Sequence, residues 1–463
     1  MSNIPVASYL DFLANNSAPE ALHNSANRSD CSKCHPNTRL AVLEKVMDWI
    51  INQDSETRKR LLMWLKGPAG SGKSTIAQTI AERCEEDGRL LASFFFGRSD
   101  PSRNNSKPLV ATIAYQICCY IPTIKETMLK IIKDDPLIFG RNLLVQVESL
   151  IITPLGALKS TGYFSNPECR RVIVIDGLDE CTPRSEQMNI LDAIFHCIKK
   201  LDSAVSFLLV SRSEQEISAS LNSENVRRIL TTISLDQYSA DDDIHLFLRN
   251  ELEIIKNSHP LKHLLPAVWP HGGVVHYIVQ KSSGQFIYAS TVIKYIKSLR
   301  HRPDHRLDII QNLRPRASEA DMPFAQLDAL YTHVLSSVED IDTLLHVFAV
   351  YIYQREQGYR VSTEFIEKLC LLEHGTIEAL LSDLTALVTL KVAEDDDSQT
   401  QEGQSYINFL HASLTDFLLD HSRSKQYYID SEWAVTKQIE DCFSFISCKH
   451  HLFFSIFMNC ELN

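Results

Sequence analysis

Residues 67–74 read Gly-Pro-Ala-Gly-Ser-Gly-Lys-Ser and fit the pattern G-x-x-x-x-G-K-[S/T] at every position. The apolar run 61–65 precedes this loop and has the composition of a buried strand, and residues 75–84 follow it with helical spacing of apolar side chains. A strand, a glycine-rich loop and a helix N-terminus form an anion site, because backbone N–H groups and the helix dipole point at phosphate oxygens. This context favours the phosphate-binding loop of a P-loop NTPase over an ordinary glycine turn.

The pattern assigns nucleotide contacts to the loop and to the first helical residue after it. Lys73 is expected to contact the β- and γ-phosphates, and the Ser74 hydroxyl is expected to ligate Mg²⁺. The predicted cofactor-binding residues here are Gly67, Pro68, Ala69, Gly70, Ser71, Gly72, Lys73, Ser74 and Thr75.

An acidic strand end follows about a hundred residues later, in the sequence RVIVIDGLDE at 171–180. A fully apolar strand is typical of a central parallel strand covered by helices, and ligands bind at the carboxyl ends of such strands. Asp176 is therefore predicted to hold Mg²⁺, directly or through water, and Asp179 or Glu180 to orient or polarise the attacking water. A simple Asp-Gly turn with solvated acids is the alternative, and a matching phosphate loop in the same chain disfavours it.

Composition describes an ordinary globular protein. The 463 residues are 44% hydrophobic and 22% charged, and the formal net charge of −12 does not suggest a basic face for nucleic acid. No run approaches the roughly 20 apolar residues of a membrane span, and the longest candidate was expected at 452–458. The first residues lack the features of a signal peptide. We therefore expect a cytoplasmic protein that binds neither membrane nor nucleic acid, with its 12 cysteines reduced.

The alternation of segments predicts an α/β P-loop core with a parallel five-stranded sheet and helices on both faces. Residues 1–30 are expected to form a loose leader with one short helix, and residues 31–235 the nucleotide-binding domain. The predicted strands are 61–65, 90–96, 171–175, 205–211 and 228–234.

Helical periodicity dominates the rest of the chain. We predict a helical subdomain over 236–340, a winged-helix subdomain over 341–430 and a C-terminal tail over 431–463. The winged helix is inferred from helices followed by two strands, 387–392 and 406–409, around an acidic stretch. Because that wing is acidic, we interpret it as a surface that contacts protein and not DNA.

Several strings together resemble one family. They are Asp176-Gly-Leu-Asp-Glu, Ser211-Arg212-Ser-Glu at the end of the next apolar strand, and Phe409-Leu-His411-Ala-Ser-Leu near the C-terminal side. The chain thus resembles the NACHT proteins, the NOD-like branch of the STAND signal-transduction ATPases. It is most similar to the nephrocystin-type NACHT proteins of mushroom-forming fungi, in which strings such as 64–70, 92–96 and 286–291 recur. The resemblance covers roughly residues 31–430.

The resemblance implies roles for three further residues. Arg212 would be the sensor arginine that detects the γ-phosphate or a neighbouring subunit, although a surface ion pair is the plainer reading of an arginine at a strand end. His411 would contact the β-phosphate of ADP in a closed resting state, although a capping or core role is the ordinary alternative. Arg39 would border the adenine and ribose. The stretch 283–286 lacks the proline of the family's usual Gly-x-Pro turn, which puts base contacts there in doubt.

The implied function is a switch that binds ATP or ADP with Mg²⁺, hydrolyses ATP slowly and controls conformation and self-assembly, in self/non-self signalling. Family members also carry effector and sensor domains, so we expect an unknown protein partner to supply them or the chain to be a truncated receptor. A non-catalytic scaffold with the same fold is the main alternative. A P-loop kinase is disfavoured, because no arginine-rich lid is visible in the sequence.

Overall fold

A computed structural model describes residues 6–26, 28, 33–51, 60–98, 100–166, 169, 171–313, 324–382, 384–392 and 404–460. The chain divides into two compact units. The first comprises residues 1–247 with 284–286, and the second comprises residues 248–283 with 287–463.

The first unit is built on a five-stranded sheet in which every neighbouring pair is parallel. Its strands are β1 (Leu62–Lys66), β2 (Leu90–Phe95), β3 (Val172–Asp176), β4 (Ser206–Ser211) and β5 (Leu230–Ser234). The order across the sheet is β2-β3-β4-β1-β5. This pairing confirms the predicted parallel sheet. Its strands are runs of consecutive apolar residues because both faces of the sheet are buried.

Helices cover both faces of this sheet and create two hydrophobic cores. One core includes Trp64 and Ile175 from the sheet, and the other includes Met63 and Val174, as the two-residue alternation of strand side chains requires. The helices of this part are α1 (Val6–Asn15), α2 (Leu40–Ile51), α3 (Lys73–Glu86), α4 (Leu109–Tyr120), α5 (Pro122–Asp134), α6 (Leu143–Val147), α7 (Thr153–Ser160), α8 (Arg184–Leu201), α9 (Gln215–Leu221) and α10 (Glu224–Arg227).

Strand order decides which residues meet at the carboxyl edge of the sheet. β4 lies between β1 and β3, so the residue after β4 falls between the loop that follows β1 and the acids that follow β3. The pairing aligns Lys66 with Ser211 and Asp176 with Val210, which brings the three strand ends level. This arrangement places Arg212 beside both nucleotide motifs.

The leader packs against the sheet and α4, although the sequence predicted a loose segment with one short helix. Leu13 and Ala21 are fully buried in the same core as the sheet residues. The Ala18 N–H donates to Thr112 Oγ1 on α4 at 2.8 Å, and the His23 N–H donates to Ser93 Oγ on β2 at 3.1 Å. The short, polar-rich sequence of the leader contains no pattern of apolar residues from which these distant partners could be predicted.

One stretch is long and apolar enough to cross a membrane by length and composition, namely Leu143–Ser160. It comprises α6, one π-helical turn at Glu148–Ile152 and α7. Leu150 and Leu155 in this stretch are fully buried in the core of the first unit, so we interpret it as a core helix. The longest apolar run therefore lies at 143–160 among the described residues, and not at 452–458 as the sequence suggested.

The second unit is mainly helical. Its two strands, β6 (Val388–Val392) and β7 (Ser405–Phe409), pair antiparallel, and both were predicted from the sequence. Residues 393–403 of the predicted wing lie outside the described residues. The helices from the end of the first unit onward are α11 (Asp241–Ser258), α12 (Val274–Ser282), α13 (Phe286–Ile296), α14 (Pro303–Asn312), α15 (Ala325–Leu335), α16 (Ile341–Glu356), α17 (Thr363–Leu369), α18 (Thr376–Leu381), α19 (Ala412–Leu418), α20 (His421–Ser424) and α21 (Ser431–Cys460).

Candidate functional site

The glycine-rich loop joins the end of β1 at Lys66 to the start of α3 at Lys73, as the motif predicts. Gly72 directly before the helix has a φ of 89°, a conformation that side chains with a Cβ rarely adopt. The Ser71 hydroxyl donates to the Pro68 carbonyl at 2.9 Å and closes the loop on itself. The loop therefore has the strand–turn–helix setting in which backbone N–H groups and a helix N-terminus can face a phosphate.

Lys73 lies in the field of three acids, Asp176 at the end of β3 and Asp179 and Glu180 just after it. Its ammonium donates to the Pro68 carbonyl at 2.9 Å. Burial lowers the pKa of Lys73, and the nearby charges of Asp179, Asp176 and Glu180 oppose that change while Arg212 adds to it. The fold therefore brings Lys73, which is predicted to bind the phosphates, close to the acids that are predicted to hold the metal and to orient the attacking water.

Asp176 and Ser74 meet by a side-chain hydrogen bond. Asp176 is 3% exposed, and burial raises its pKa from 3.8 to about 7 while the Ser74 hydrogen bond works in the opposite direction. Its second oxygen, Oδ1, is buried and has no hydrogen-bond partner among the described residues. A hydroxyl and a carboxylate with an unsatisfied oxygen fit Mg²⁺, a hard cation that takes oxygen ligands.

Asp179 holds Arg212 at two points. Asp179 Oδ1 accepts the Arg212 backbone N–H at 2.9 Å, and the Arg212 guanidinium Nε lies 3.2 Å from Asp179 Oδ2. Asp179 is almost fully buried, and the side chain of Arg212 is 23% exposed. The pair fixes the arginine at the sheet edge beside Lys73, and the surface ion pair considered from the sequence is therefore a partly buried one.

Glu180 is oriented by the loop after β2. Its carboxylate accepts the Arg98 backbone N–H at 2.9 Å. Burial and the neighbouring charge of Asp179 raise the pKa of Glu180. Gly177 makes the turn that delivers these acids: its φ is +74°, and a Cβ at this position would lie 3.3 Å from the Phe96 carbonyl oxygen. A carboxylate with a raised pKa is better suited to accept a proton from water than one held by an arginine.

Arg39 is a buried residue that contacts the backbone of the phosphate loop. It is 5% exposed, and its Nη2 donates to the Ser71 carbonyl at 2.9 Å. Its Nε lies 4.0 Å from Asp243 Oδ2, and its guanidinium carbon lies 5.1 Å from the centre of the Phe286 ring. Burial lowers the pKa of Arg39, and Asp243 opposes that change. Arg39 therefore contacts the phosphate loop itself, which the resemblance did not imply.

Three aromatic rings contact one another in series, and the last of them, Phe286, lies near Arg39. The rings of His35 and Phe247 are 5.5 Å apart and nearly perpendicular, and the Phe247 and Phe286 rings are 6.2 Å apart. All three residues are partly exposed. The roles of His35 and Phe247 were not predicted, because residues separated by two hundred positions share no local pattern. Base contacts at 283–286 were in doubt because this stretch lacks the family's proline.

His411 lies in the second unit, at the N-terminus of α19. Its Nδ1 accepts the Ser413 backbone N–H at 3.0 Å and lies 2.6 Å from the Ser413 hydroxyl, which in turn lies 2.7 Å from the Tyr331 hydroxyl. Because Nδ1 accepts from a backbone N–H, the neutral ring carries its proton on Nε2. The capping role considered from the sequence is thus observed, and the contact with nucleotide stays a prediction.

Two arginines near the site, Arg28 and Arg103, were not identified from the sequence. The Arg28 guanidinium of the leader lies 3.8 Å from the centre of the Phe95 ring, and its charge opposes the rise in the pKa of Asp176. Arg103 is 6% exposed, and its Nη1 donates to the Phe95 carbonyl at 3.0 Å. Neither residue belongs to a motif, and no pattern in the sequence identifies them.

Residues 40–212 match the family model described as Nephrocystin 3, N-terminal. The matched segment contains the phosphate loop, the acidic strand end and Arg212. The resemblance to nephrocystin-type proteins predicted from the sequence is confirmed for this segment. No curated protein matches the chain at a significant level.

Solved structures of low similarity cover most of the chain. Cdc6p from Pyrobaculum aerophilum is 13% identical, with a TM-score of 0.36, and the match covers 88% of this chain and 94% of that one. DnaA from Aquifex aeolicus bound to AMPPCP is 11% identical over 77% of this chain and 89% of that one, with a TM-score of 0.31. Drosophila ORC bound to DNA is 13% identical over 88% and 92%, with a TM-score of 0.31. Because these TM-scores are low, the roles of the site residues are inferred from the geometry of this chain alone.

Proposed function

We propose that the chain is a nucleotide-operated switch that binds ATP or ADP with Mg²⁺ in its sheet domain and hydrolyses ATP slowly. The observation that carries the proposal is the unpartnered, buried oxygen of Asp176, beside Ser74 and within the field of Lys73. An unsatisfied buried carboxylate oxygen is costly. A cation bound at that oxygen would remove this cost, and the adjacent phosphate loop is the setting in which Mg²⁺ accompanies a nucleotide.

The residues present divide the work of such a site. The loop at 67–74 and Lys73 would bind the phosphates, and Ser74 and Asp176 would hold Mg²⁺. Bound Mg²⁺ supplies charge neutralisation at the phosphate oxygens. Glu180 is the better-suited acceptor for a proton of the attacking water, since Asp179 is engaged by Arg212 at 3.2 Å and by its N–H at 2.9 Å. The grouped rings of His35, Phe247 and Phe286 would contact the base by stacking.

The switch itself requires that nucleotide bind two states with different affinity. Arg212 and His411 are the residues we assign to that difference: Arg212 because it is held next to Lys73 by an acid at the nucleotide site, and His411 by resemblance alone. Self-association through the sheet domain and an unknown protein partner belong to the same proposal. The net charge of −12 supports a protein partner over nucleic acid.

The decisive experiment is mass spectrometry of the nucleotide released from the purified protein, combined with titration of ATP and Mg²⁺ into nucleotide-free protein. Lys73→Ala should lower the affinity for ATP by more than about 100-fold, the loss typical of removing a preorganised charge-stabilising donor. Lys66→Ala, one residue before the loop, is the matched control and should bind normally. Equal binding by the Lys73→Ala protein would remove the phosphate loop from the site.

Hydrolysis is tested separately, because a scaffold of the same fold could bind nucleotide without turnover. Glu180→Gln should reduce ATPase activity by at least about 100-fold while ATP remains bound. Glu216→Gln, an exposed change on α9, serves as the control. ATPase activity of the native protein no higher than that of Glu180→Gln supports the non-catalytic scaffold instead.

A further inference from the structure

A cluster of three metal-binding side chains lies in the second unit. His346 is on α16, Cys370 follows the last residue of α17, and Asp441 is on α21. One ligand atom of each residue lies within 4.8 Å of the others. His346 Nε2 is 2.5 Å from Asp441 Oδ2, and Cys370 Sγ is 3.7 Å from His346 Nε2. Nothing in the nucleotide motifs or in the family resemblance refers to these residues.

We propose that His346, Cys370 and Asp441 form a zinc-binding site that joins α21 to α16 and α17. Imidazole, thiolate and carboxylate are the three side-chain types that bind Zn²⁺ in proteins, and a fourth, solvent-derived ligand completes a tetrahedron. The mixed nitrogen, sulfur and oxygen set excludes Mg²⁺ and Ca²⁺ as preferred ions, because these hard cations take oxygen ligands.

An ion would fit between the three ligand atoms, which lie within 4.8 Å of one another, after small side-chain movements. Tetrahedral zinc with its usual bond lengths places neighbouring ligand atoms about 3.5 Å apart, which the Cys370–His346 separation of 3.7 Å nearly matches. The His346–Asp441 separation of 2.5 Å is that of a direct hydrogen bond. Zinc would replace the shared proton and open this pair by about 1 Å, a change that side-chain rotation supplies.

The surroundings combine shelter with access. The side chains of His346 and Asp441 are 16% and 9% exposed, and Cys370 is partly exposed, so an ion can enter without unfolding the unit. The Trp433 ring on α21 stands edge-to-face with the His346 ring at 6.3 Å. Lys437 Nζ lies 3.9 Å from Asp441 Oδ1, which leaves the carboxylate shared between this ammonium and the histidine. The ordinary alternative is a His–Asp ion pair with a thiol filling the space beside it.

Metal binding to the full chain distinguishes these two readings. The protein, in excess Mg²⁺, is titrated with Zn²⁺ and followed by native mass spectrometry, and separately with Co²⁺ and followed by absorption. We expect one tightly bound Zn²⁺ per chain and a thiolate-to-cobalt charge-transfer band. Cys370→Ser should remove that band and weaken Zn²⁺ binding by more than about 100-fold, a larger loss than changes to outer-shell partners cause.

The controls are two exposed cysteines outside the cluster, one on α21 and one on α4. Cys442→Ser changes an exposed thiol next to Asp441, and Cys119→Ser changes an exposed thiol in the first unit; both should keep the ion and the band. His346→Gln and Asp441→Asn should also lose tight binding. Cys370→Ser conserves size, so its metal-free thermal unfolding should match that of the native protein even if the His346 variant fails to fold.

Three results would overturn the site. They are the absence of stoichiometric Zn²⁺ in the native protein, equal affinity in Cys370→Ser, and loss of the cobalt band in Cys442→Ser or Cys119→Ser. The nucleotide-site variant Lys73→Ala should bind Zn²⁺ normally, so failure of the zinc site and failure of the proposed switch are distinguishable.

Discussion

Asp176 and His411 were both assigned to the nucleotide from the sequence, and the structure gives them opposite environments. Asp176 is buried at the end of β3 with one carboxylate oxygen that has no partner among the described residues. His411 is partly exposed at the start of α19, and its Nδ1 is satisfied by the Ser413 backbone N–H two residues away. Asp176 therefore has an oxygen that is available to a ligand, whereas the Nδ1 of His411 already accepts a hydrogen bond from its own helix. A motif residue is thus a stronger prediction of ligand binding when the fold leaves it unsatisfied.

The largest expected effect breaks the Asp176 side of this comparison. Asp176→Asn should abolish the gain in ATP affinity that Mg²⁺ provides and lower ATPase activity by at least about 100-fold, since an amide oxygen carries no charge for the cation. Binding of ADP without Mg²⁺ should change little. Titrations with and without Mg²⁺ measure both quantities, and Asp192→Asn, an exposed acid on α8, is the control. A full Mg²⁺ effect in the Asp176→Asn protein would contradict the metal assignment.

The same residue gives a pH signature in ligand-free protein. Burial raises the pKa of Asp176 from 3.8 to about 7, so between these values the folded protein holds a proton that the unfolded chain has lost. Its contribution to the free energy of unfolding therefore falls as pH rises from about 4 to about 7 and is constant above that range. Three pKa units correspond to a loss on the order of 4 kcal/mol.

Urea unfolding of the native and Asp176→Asn proteins at pH 4.5 and pH 8 tests this sign. Asn cannot ionise, so the variant should be the more stable of the two at pH 8, by up to about 4 kcal/mol, and close to the native protein at pH 4.5. A stability difference that does not change with pH would show that Asp176 titrates in the ordinary range.

A smaller effect is expected from the residue that supports the phosphate loop. Arg39→Lys removes the guanidinium contact with the Ser71 carbonyl and should lower nucleotide affinity about tenfold, the effect of losing one hydrogen bond from a charged donor. Isothermal titration with ADP measures the loss, with Arg227→Lys, exposed on α10, as the control. Unchanged affinity would limit Arg39 to a structural role.

The smallest effect sharpens the His411 side. His411→Ala should destabilise the second unit by about 1 kcal/mol through loss of the N-cap, and His411→Asn should restore most of it, because asparagine is a good capping residue. ADP affinity of the His411→Asn protein then isolates the predicted phosphate contact. A weaker affinity in this capped variant supports that contact, and an unchanged affinity assigns His411 to the cap alone.

Local chemistry made much of the sheet domain predictable. The loop at 67–74 and the strand ending at Asp176 are each formed by consecutive residues, so a local motif identifies them. All five strands lie within two residues of their predicted bounds. The contact between Arg39 and Ser71 joins residues 32 positions apart, and Arg28 reaches the Phe95 ring from the leader. Such contacts depend on the packing of distant elements, so periodicity and motifs did not identify them.

The packing of the leader determines how this domain carries mechanical load. The leader is fixed to the edge strand β2 and to α4 by the buried side chains of Leu13 and Ala21 and by the hydrogen bonds of Ala18 and His23. His23 is also bonded to Gln78 and Glu85 on α3, so a pull on the leader would be transmitted to β2, α4 and α3 together. Arg28, also in the leader, lies against Phe95 in the field of Asp176. Tension on the leader would thus act both on the surroundings of the carboxylate that we assign to Mg²⁺ and on α3, the helix that begins in the phosphate loop.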